Sequence, residues 1–161
     1  MSSLSELINS GFVFGDDINT LFKFAKKSQF ALPAVNVIGT NSINAALEAA
    51  QQANSPIIIQ LPYSGAAFFI GKGANLSALD AAIQGAAAAA IYIKNVAKHY
   101  GIPVIIHTDH ASKKLLPWID GLLDEGEKHF TQTGEPLFSS HMLDLSEEPL
   151  EDNIDISAKY L

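Results

Sequence analysis

The chain has 161 residues, enough for one domain of ordinary size, and a net charge of −7, which disfavours nucleic acid and anionic membranes as partners. It contains no cysteine, so disulfide bonds and thiolate metal sites are excluded. The amino end lacks the pattern of a secretory signal, and no apolar stretch reaches the roughly 18 residues that span a bilayer. We therefore expect a soluble, cytoplasmic protein with residues 1–161 in a single domain.

Apolar runs suited to buried strands alternate along the chain with helical patterns. Strands are predicted at Ala31–Val37, Pro56–Leu61, Ile102–His107 and Pro136–His141. Helices are predicted at Ile18–Lys27, Asn41–Asn54, Leu79–Tyr100, Ser112–Thr131 and Leu150–Tyr160, with a loop over residues 61–75. Strands that are apolar on both faces and alternate with helices are typical of a parallel sheet covered on both sides.

A doubly wound sheet and a (β/α)8 barrel both fit this order of elements. A barrel needs about 250 residues, so on that interpretation the chain supplies roughly the first four βα units.

Polar side chains come at the C-terminal ends of the predicted strands. They are Asn36, Gln60, the segment His107-Thr108-Asp109-His110, and Ser139-Ser140-His141 followed by Asp144. The carboxyl ends of parallel strands share one rim, where active sites are built. A polar residue at a strand end is commonly just the return of the chain to solvent, so Asn36 and Gln60 carry little weight alone.

The His107–His110 segment is the strongest candidate. Two histidines and a carboxylate within four residues supply both a metal ligand and a proton-transfer group. A regular strand points Asp109 and His110 to opposite faces. These two side chains can therefore share a site only where the strand ends or bends.

Blocks across nearly the whole chain resemble the class II fructose-1,6-bisphosphate aldolases of the longer bacterial and fungal type. The blocks are Ala31–Asn36, Gly39–Ala45, Pro56–Gln60, Gly71–Gly73, His99–His110, Lys113–Asp124 and Phe138–Glu148. The resemblance implies a zinc-dependent (β/α)8-barrel lyase, usually a homodimer. It also implies reversible cleavage of fructose 1,6-bisphosphate to glycerone phosphate and glyceraldehyde 3-phosphate, a step of glycolysis and gluconeogenesis. In agreement, no strand end carries the Schiff-base lysine of a class I aldolase.

The same resemblance implies roles for individual residues. His110 matches the family's first zinc-binding histidine, and Asp109 matches the catalytic acid/base that handles the proton on the C4 hydroxyl. Asp144 matches a carboxylate at a second divalent-metal position, and Asn36 matches a residue lining the substrate site. The expected ligands are thus a zinc ion, a second divalent metal ion and sugar phosphates.

Two departures from the family pattern concern phosphate binding and the metal. The family usually has Gln-Phe-Ser-Asn-Gly-Gly after the second strand, with the serine on the substrate phosphate, whereas this chain has Gln60-Leu-Pro-Tyr-Ser-Gly65. Pro62 has no hydrogen-bond donor, and Ser64, two residues on, is the candidate to take the serine's place. The substrate-binding candidates are thus Asn36, Gln60 and Ser64. The family's remaining zinc ligands and phosphate loops lie beyond residue 161, so the fragment alone is expected to be inactive.

The absence of arginine adds to the question of phosphate binding. Without the bidentate guanidinium group, a phosphate site must use backbone N–H groups, hydroxyls or lysines, or an arginine outside this sequence.

Two alternatives to a fructose-bisphosphate aldolase stay open. A non-catalytic barrel remnant, retained as an assembly or binding module, is favoured by Pro62 and the missing ligands. An aldolase for a related ketose bisphosphate, such as tagatose 1,6-bisphosphate, is the other. The intact Asp109–His110 pair and Asp144 favour a catalytic protein.

Overall fold

The computed structural model of the chain describes residues 4–71 and 73–161. The first three residues and Lys72, the middle residue of the Gly71–Gly73 block, lie outside that part. The strands are β1 (Gly11–Phe12), β2 (Ala34–Asn36), β3 (Ile57–Pro62), β4 (Pro103–Ser112) and β5 (Ser140–Asp144). The helices are α1 (Leu4–Leu7), α2 (Asp16–Ser28), α3 (Thr40–Gln52), α4 (Tyr63–Ala66), α5 (Ala78–Ala97), α6 (Leu116–Thr133) and α7 (Leu150–Tyr160), with 3-10 turns at Ala67–Phe69 and Lys113–Leu115.

The strands form one parallel sheet in the order β2-β3-β4, and β1 and β5 follow one another along the far edge of β4. β1 pairs with the start of β4 and β5 pairs with its end. Ser139 joins the two short strands, because its Oγ donates to the Val13 carbonyl at 2.7 Å and accepts from Ile106 N at 2.9 Å. The sheet therefore has four strand positions, and the fourth is built from two distant parts of the chain.

The outer face of the sheet is covered by helices. Ile59 and Leu61 of β3 and Ile106 of β4 are buried there together with side chains of α3, α5 and α6. Helix α5 is rich in alanine, so it approaches its neighbours closely: a Cβ added at Gly85 would lie 2.0 Å from the carbonyl oxygen of Ala66 in α4. Small side chains on α5 thus determine how near the β3–α4 segment lies to the rest of the core.

The inner face of the sheet is apolar at the amino ends of the strands. Ile58 and Ile105, on this face, pack against Ile8, Val13 and Leu21 from the N-terminal segment. That segment, α1 to α2, closes the amino-terminal end of the inner face. At the opposite, carboxyl-terminal end of the inner face the side chains are polar.

The structure confirms the alternation of strands and helices and corrects several boundaries. The predicted strand Ile102–His107 continues to Ser112, so the His107–His110 segment lies inside β4. The predicted strand Pro136–His141 begins instead at Ser140, and the apolar residues Leu137 and Phe138 ahead of it are buried in the connection from α6. The predicted loop 61–75 contains α4 and a 3-10 turn. Strand β1 and helix α1 were not predicted, because two and four residues carry no periodicity. Within the described ranges, no helix has the length and apolarity to cross a membrane.

Candidate active site

A β-bulge in β4 shapes the candidate site. Opposite β5, Thr108 pairs with His141 and Ala111 pairs with Leu143, so Asp109 and His110 together face one residue of β5. His110 takes a φ of 50°, in the left-handed region that few non-glycine residues occupy. Such a bulge bends a strand and redirects a side chain. Consecutive residues of a regular strand point to opposite faces, but the bulge brings Asp109 and His110 to the same side of the sheet.

Asp109 is nearly buried and is held in place by β3. The residue is 5% exposed, and its Oδ1 accepts a hydrogen bond of 2.8 Å from Nε2 of Gln60. The register explains this contact, since Gln60 pairs with His107, two residues before Asp109 on the same face of β4. Nε2 of His110 lies 3.8 Å from Asp109 Oδ1. One carboxylate thus lies between an amide donor and an imidazole.

His110 is bound on its other side to β5. Its Nδ1 lies 2.9 Å from Oδ2 of Asp144, and its side chain is largely exposed at the rim. Ser146 fixes the same carboxylate by donating from its hydroxyl to Oδ1 at 2.6 Å and from its backbone N–H at 3.3 Å. Asp109, His110 and Asp144 therefore form one connected cluster across β4 and β5.

The cluster favours opposite charges on His110 and Asp144. The Ser146 hydroxyl, followed by His110, lowers the pKa of Asp144 to about 2, so this group is a carboxylate at neutral pH. The hydrogen bond to Asp144, followed by the charge of Asp109, raises the pKa of His110. Carboxylates on both sides of one imidazole stabilise its cationic form, and equally make it an attractive place for a metal cation.

The substrate-binding candidates from the sequence lie at different distances from this cluster. Asn36 is exposed at the end of β2 and pairs in register with Gln60, which puts it one strand further along the same rim. Pro62 pairs in register with Asp109, ends β3 and precedes α4. Ser64 is exposed on α4, two residues further on. The structure thus brings Gln60 into direct contact with Asp109, and leaves Asn36 and Ser64 as flanking groups on the rim.

Two cross-strand pairs that were not predicted from the sequence hold this region together. Nδ1 of His107 lies 2.8 Å from Oγ of Ser140 on the inner face, and Thr108 Oγ1 lies 2.8 Å from Nδ1 of His141 on the outer face. The signal was present, because the Ser-Ser-His run follows the His-Thr-Asp-His run by one βα unit. Only the register of β4 against β5, however, shows which residues become partners.

The residues present match the donor chemistry of a divalent metal only in part. Imidazole nitrogen and carboxylate oxygen are both donors that zinc accepts, and His110 and Asp144 supply one of each within hydrogen-bonding distance. A catalytic zinc normally has three protein ligands. Among the described residues, no group of three or more His, Cys, Asp or Glu side chains is arranged to hold a metal ion. His110 and Asp144 therefore do not by themselves make up such a ligand set.

Comparisons with known proteins agree on one family. The model for "Fructose-bisphosphate aldolase class-II" matches residues 16–161. The chain is 56% identical over 161 residues to a fructose-bisphosphate aldolase of Edwardsiella ictaluri and 55% identical over 162 residues to the class 2 fructose-bisphosphate aldolase of Escherichia coli K12. Each alignment covers 100% of this chain and 45% of the relative. A crystal structure of fructose-bisphosphate aldolase from Campylobacter jejuni superposes with a TM-score of 0.94 at 47% identity, over 100% of this chain and 46% of that one.

The chain belongs to the class II fructose-bisphosphate aldolase family. It spans less than half the length of the curated relatives that it matches. The strands and helices described above correspond to the first half of the aldolase barrel, so the fold is a (β/α)8 barrel of which this chain supplies four consecutive βα units. The doubly wound alternative is thereby excluded.

Proposed function

We propose that the protein carrying this chain catalyses the reversible, metal-dependent aldol cleavage of fructose 1,6-bisphosphate to glycerone phosphate and glyceraldehyde 3-phosphate. The observation that supports this most directly is the cluster of Asp109, His110 and Asp144 at the carboxyl ends of β4 and β5. It puts a nearly buried carboxylate beside a candidate metal ligand. The family membership and the 55% identity to the class 2 aldolase of Escherichia coli add support.

In this proposal Asp109 is the acid/base for the C4 hydroxyl. In the cleavage direction its carboxylate accepts the hydroxyl proton while the C3–C4 bond breaks; the electron pair of that bond stays with C3, and C4 becomes the aldehyde carbon. In the condensation direction Asp109 returns the proton. The Gln60 amide, 2.8 Å away, occupies one carboxylate oxygen and leaves the other for the substrate.

The metal is held, on this proposal, by His110 together with ligands from the rest of the barrel, and Asp144 serves a second divalent ion. A bound zinc ion supplies Lewis-acid stabilisation of negative charge that develops on a substrate oxygen. In the observed arrangement Asp144 is the hydrogen-bond partner of His110, which is also how carboxylates orient histidine ligands. Because Asp144 lies on Nδ1, the ring nitrogen Nε2 of His110 is the one available to a metal while this contact is kept.

Asn36 and Ser64 complete the proposed substrate site. Asn36 lines it from β2, and Ser64 approaches the phosphate from α4 in place of the hydroxyl that Pro62 lacks. Neighbouring Gly65 fits tightly, since an added Cβ would meet the side chains of Ile38 and Pro62 at 3.0 Å. The proposed partners are sugar phosphates and a second copy of the protein in a homodimer, and the proposed location is the cytoplasm.

A turnover assay on the complete gene product tests the proposal. Cleavage of fructose 1,6-bisphosphate is followed with added zinc and after chelation. Asp109→Ala should lower turnover by about 10²–10⁴-fold with normal zinc content, because a general acid–base group contributes that much. His110→Ala should lower zinc content as well. Asp124→Ala, on the exposed face of α6, is the matched control and should behave as the unaltered protein.

Three outcomes separate the alternatives. A complete protein without turnover on any ketose bisphosphate points to the non-catalytic remnant. Faster cleavage of tagatose 1,6-bisphosphate than of fructose 1,6-bisphosphate points to the related aldolase. Near-full turnover of Asp109→Ala refutes the acid/base assignment. Residues 1–161 alone should show no turnover and no tight zinc binding, since only one identified zinc ligand lies within them.

A further inference from the structure

A polar row crosses all four strand positions of the inner face just below the candidate site. It runs through register partners, and its members are Asn36 of β2, Gln60 of β3, His107 of β4 and Ser140 of β5. The row beneath it is apolar and consists of Ala34, Ile58 and Ile105. The polar row is therefore the boundary between the sealed amino-terminal end and the open rim, that is, the floor of the candidate site.

His107 is the one titratable member of this row. It lies two residues before Asp109 on the same face of β4, about 6.6 Å along the strand. The side chain is half-buried, and its Nδ1 lies 2.8 Å from the Ser140 hydroxyl. That contact fixes the plane of the ring and uses one of its two nitrogens. The bulge turns the His110 ring toward Asp144.

The protonation of His107 follows from its surroundings. Burial, the largest effect, lowers the pKa of His107, and the nearby charge of Asp109 opposes this only in part. At neutral pH the ring is therefore neutral and carries a single N–H. The contact between Nδ1 and the Ser140 hydroxyl allows two tautomers, and the one in which the hydroxyl donates to Nδ1 carries its N–H on Nε2.

We propose that His107 is a ligand-contacting residue: its Nε2–H donates a hydrogen bond to an oxygen of the bound sugar phosphate, and Ser140 orients the ring through Nδ1. The inference rests on the proposed function. It adds a residue to the site from the floor, where Asn36 and Gln60 already present amide groups in the same row. Asp109 and His107 would then face the ligand from successive rows of one strand.

Two amide variants separate ligand contact from a structural role. The amide nitrogen of His107→Gln takes the place of Nε2, and that of His107→Asn takes the place of Nδ1. In the complete gene product, His107→Gln should keep kcat/KM for fructose 1,6-bisphosphate within about threefold of the unaltered protein. His107→Asn should lower it by about tenfold or more, with the melting temperature and zinc content unchanged, because one hydrogen bond to the ligand is lost.

The inference is refuted if His107→Asn is more active than His107→Gln. If His107→Asn is as active as the unaltered protein, or if both variants are equally impaired, the Ser140 contact alone explains the residue. Binding of glycerone phosphate, measured by calorimetry, gives a second readout and should weaken in His107→Asn alone. If the unaltered protein binds glycerone phosphate but does not cleave fructose 1,6-bisphosphate, the proposed function fails. The affinities of His107→Gln and His107→Asn for glycerone phosphate still decide the role of His107.

Discussion

The contact between α4 and α5 gives the sharpest prediction of stability. At Gly85 an added Cβ lies 2.0 Å from the carbonyl oxygen of Ala66, while ordinary contacts begin near 3.4 Å, so the two helices would have to separate by about 1.4 Å. Gly85→Ala should gain about 1 kcal/mol of helix propensity. Overpacking against rigid backbone costs about 3 kcal/mol or more. We expect a net loss of about 2 kcal/mol or more in the free energy of unfolding.

Two other helical glycines serve as controls in the same urea titration, followed by far-UV circular dichroism on the complete gene product. Gly126 in α6 has no atom within 4 Å of an added Cβ, so Gly126→Ala should stabilise by about 0.5–1 kcal/mol. At Gly121 the added Cβ meets Cδ1 of Ile83 at 2.2 Å, and this atom is the movable end of a side chain. The free energy of unfolding of Gly121→Ala should therefore lie between those of Gly85→Ala and Gly126→Ala. A Gly85→Ala variant as stable as Gly126→Ala refutes the argument.

Two further predictions concern the joins between strands. Burial lowers the pKa of His141 to about 4, so its stabilising contribution is present above about pH 6.5 and is lost as the pH falls toward 4. His141→Asn keeps the bond to Thr108. Between pH 4 and pH 6.5 it should reduce the slope of the unfolding free energy against pH by up to about 1.4 kcal/mol per pH unit. A variant with the same slope as the unaltered protein contradicts this prediction. Ser139→Ala removes the hydroxyl that bridges the Val13 carbonyl and β4, and should cost about 1–3 kcal/mol, whereas Ser28→Ala, exposed at the end of α2, should cost almost nothing; equal urea midpoints for these two variants contradict it.

The sequence predicted the order of the main elements because their patterns are long and regular. The apolar run of β3 and the alanine-rich α5 are unambiguous, and both lie within a few residues of the predicted bounds. Strand β5 was placed four residues too early, because Leu137 and Phe138 are apolar enough for a strand but are buried as a connection. Two-residue β1 has no local signal at all, and it exists because β4 offers it an edge.

The candidate site shows the same division between local and long-range information. Residue chemistry and the resemblance predicted roles for Asp109, His110 and Asp144, and these roles stay proposals, although the structure brings the three side chains together. The contact of Gln60 with Asp109 depends on the register of β3 against β4. Register is set by packing across the sheet rather than by neighbouring residues, so a single sequence read along the chain does not determine it.

The bulge connects the fold to the chemistry. A strand alternates its side chains, so consecutive residues cannot normally serve one site, yet this site uses Asp109 and His110. One extra residue at the left-handed φ of His110 overcomes the alternation, at a conformational cost on the order of 1 kcal/mol or more. The contact with Asp144, itself fixed by Ser146, offsets that cost by holding the imidazole at the rim. The strained residue and the candidate metal ligand are thus the same residue, and its geometry depends on a carboxylate one βα unit further along the chain.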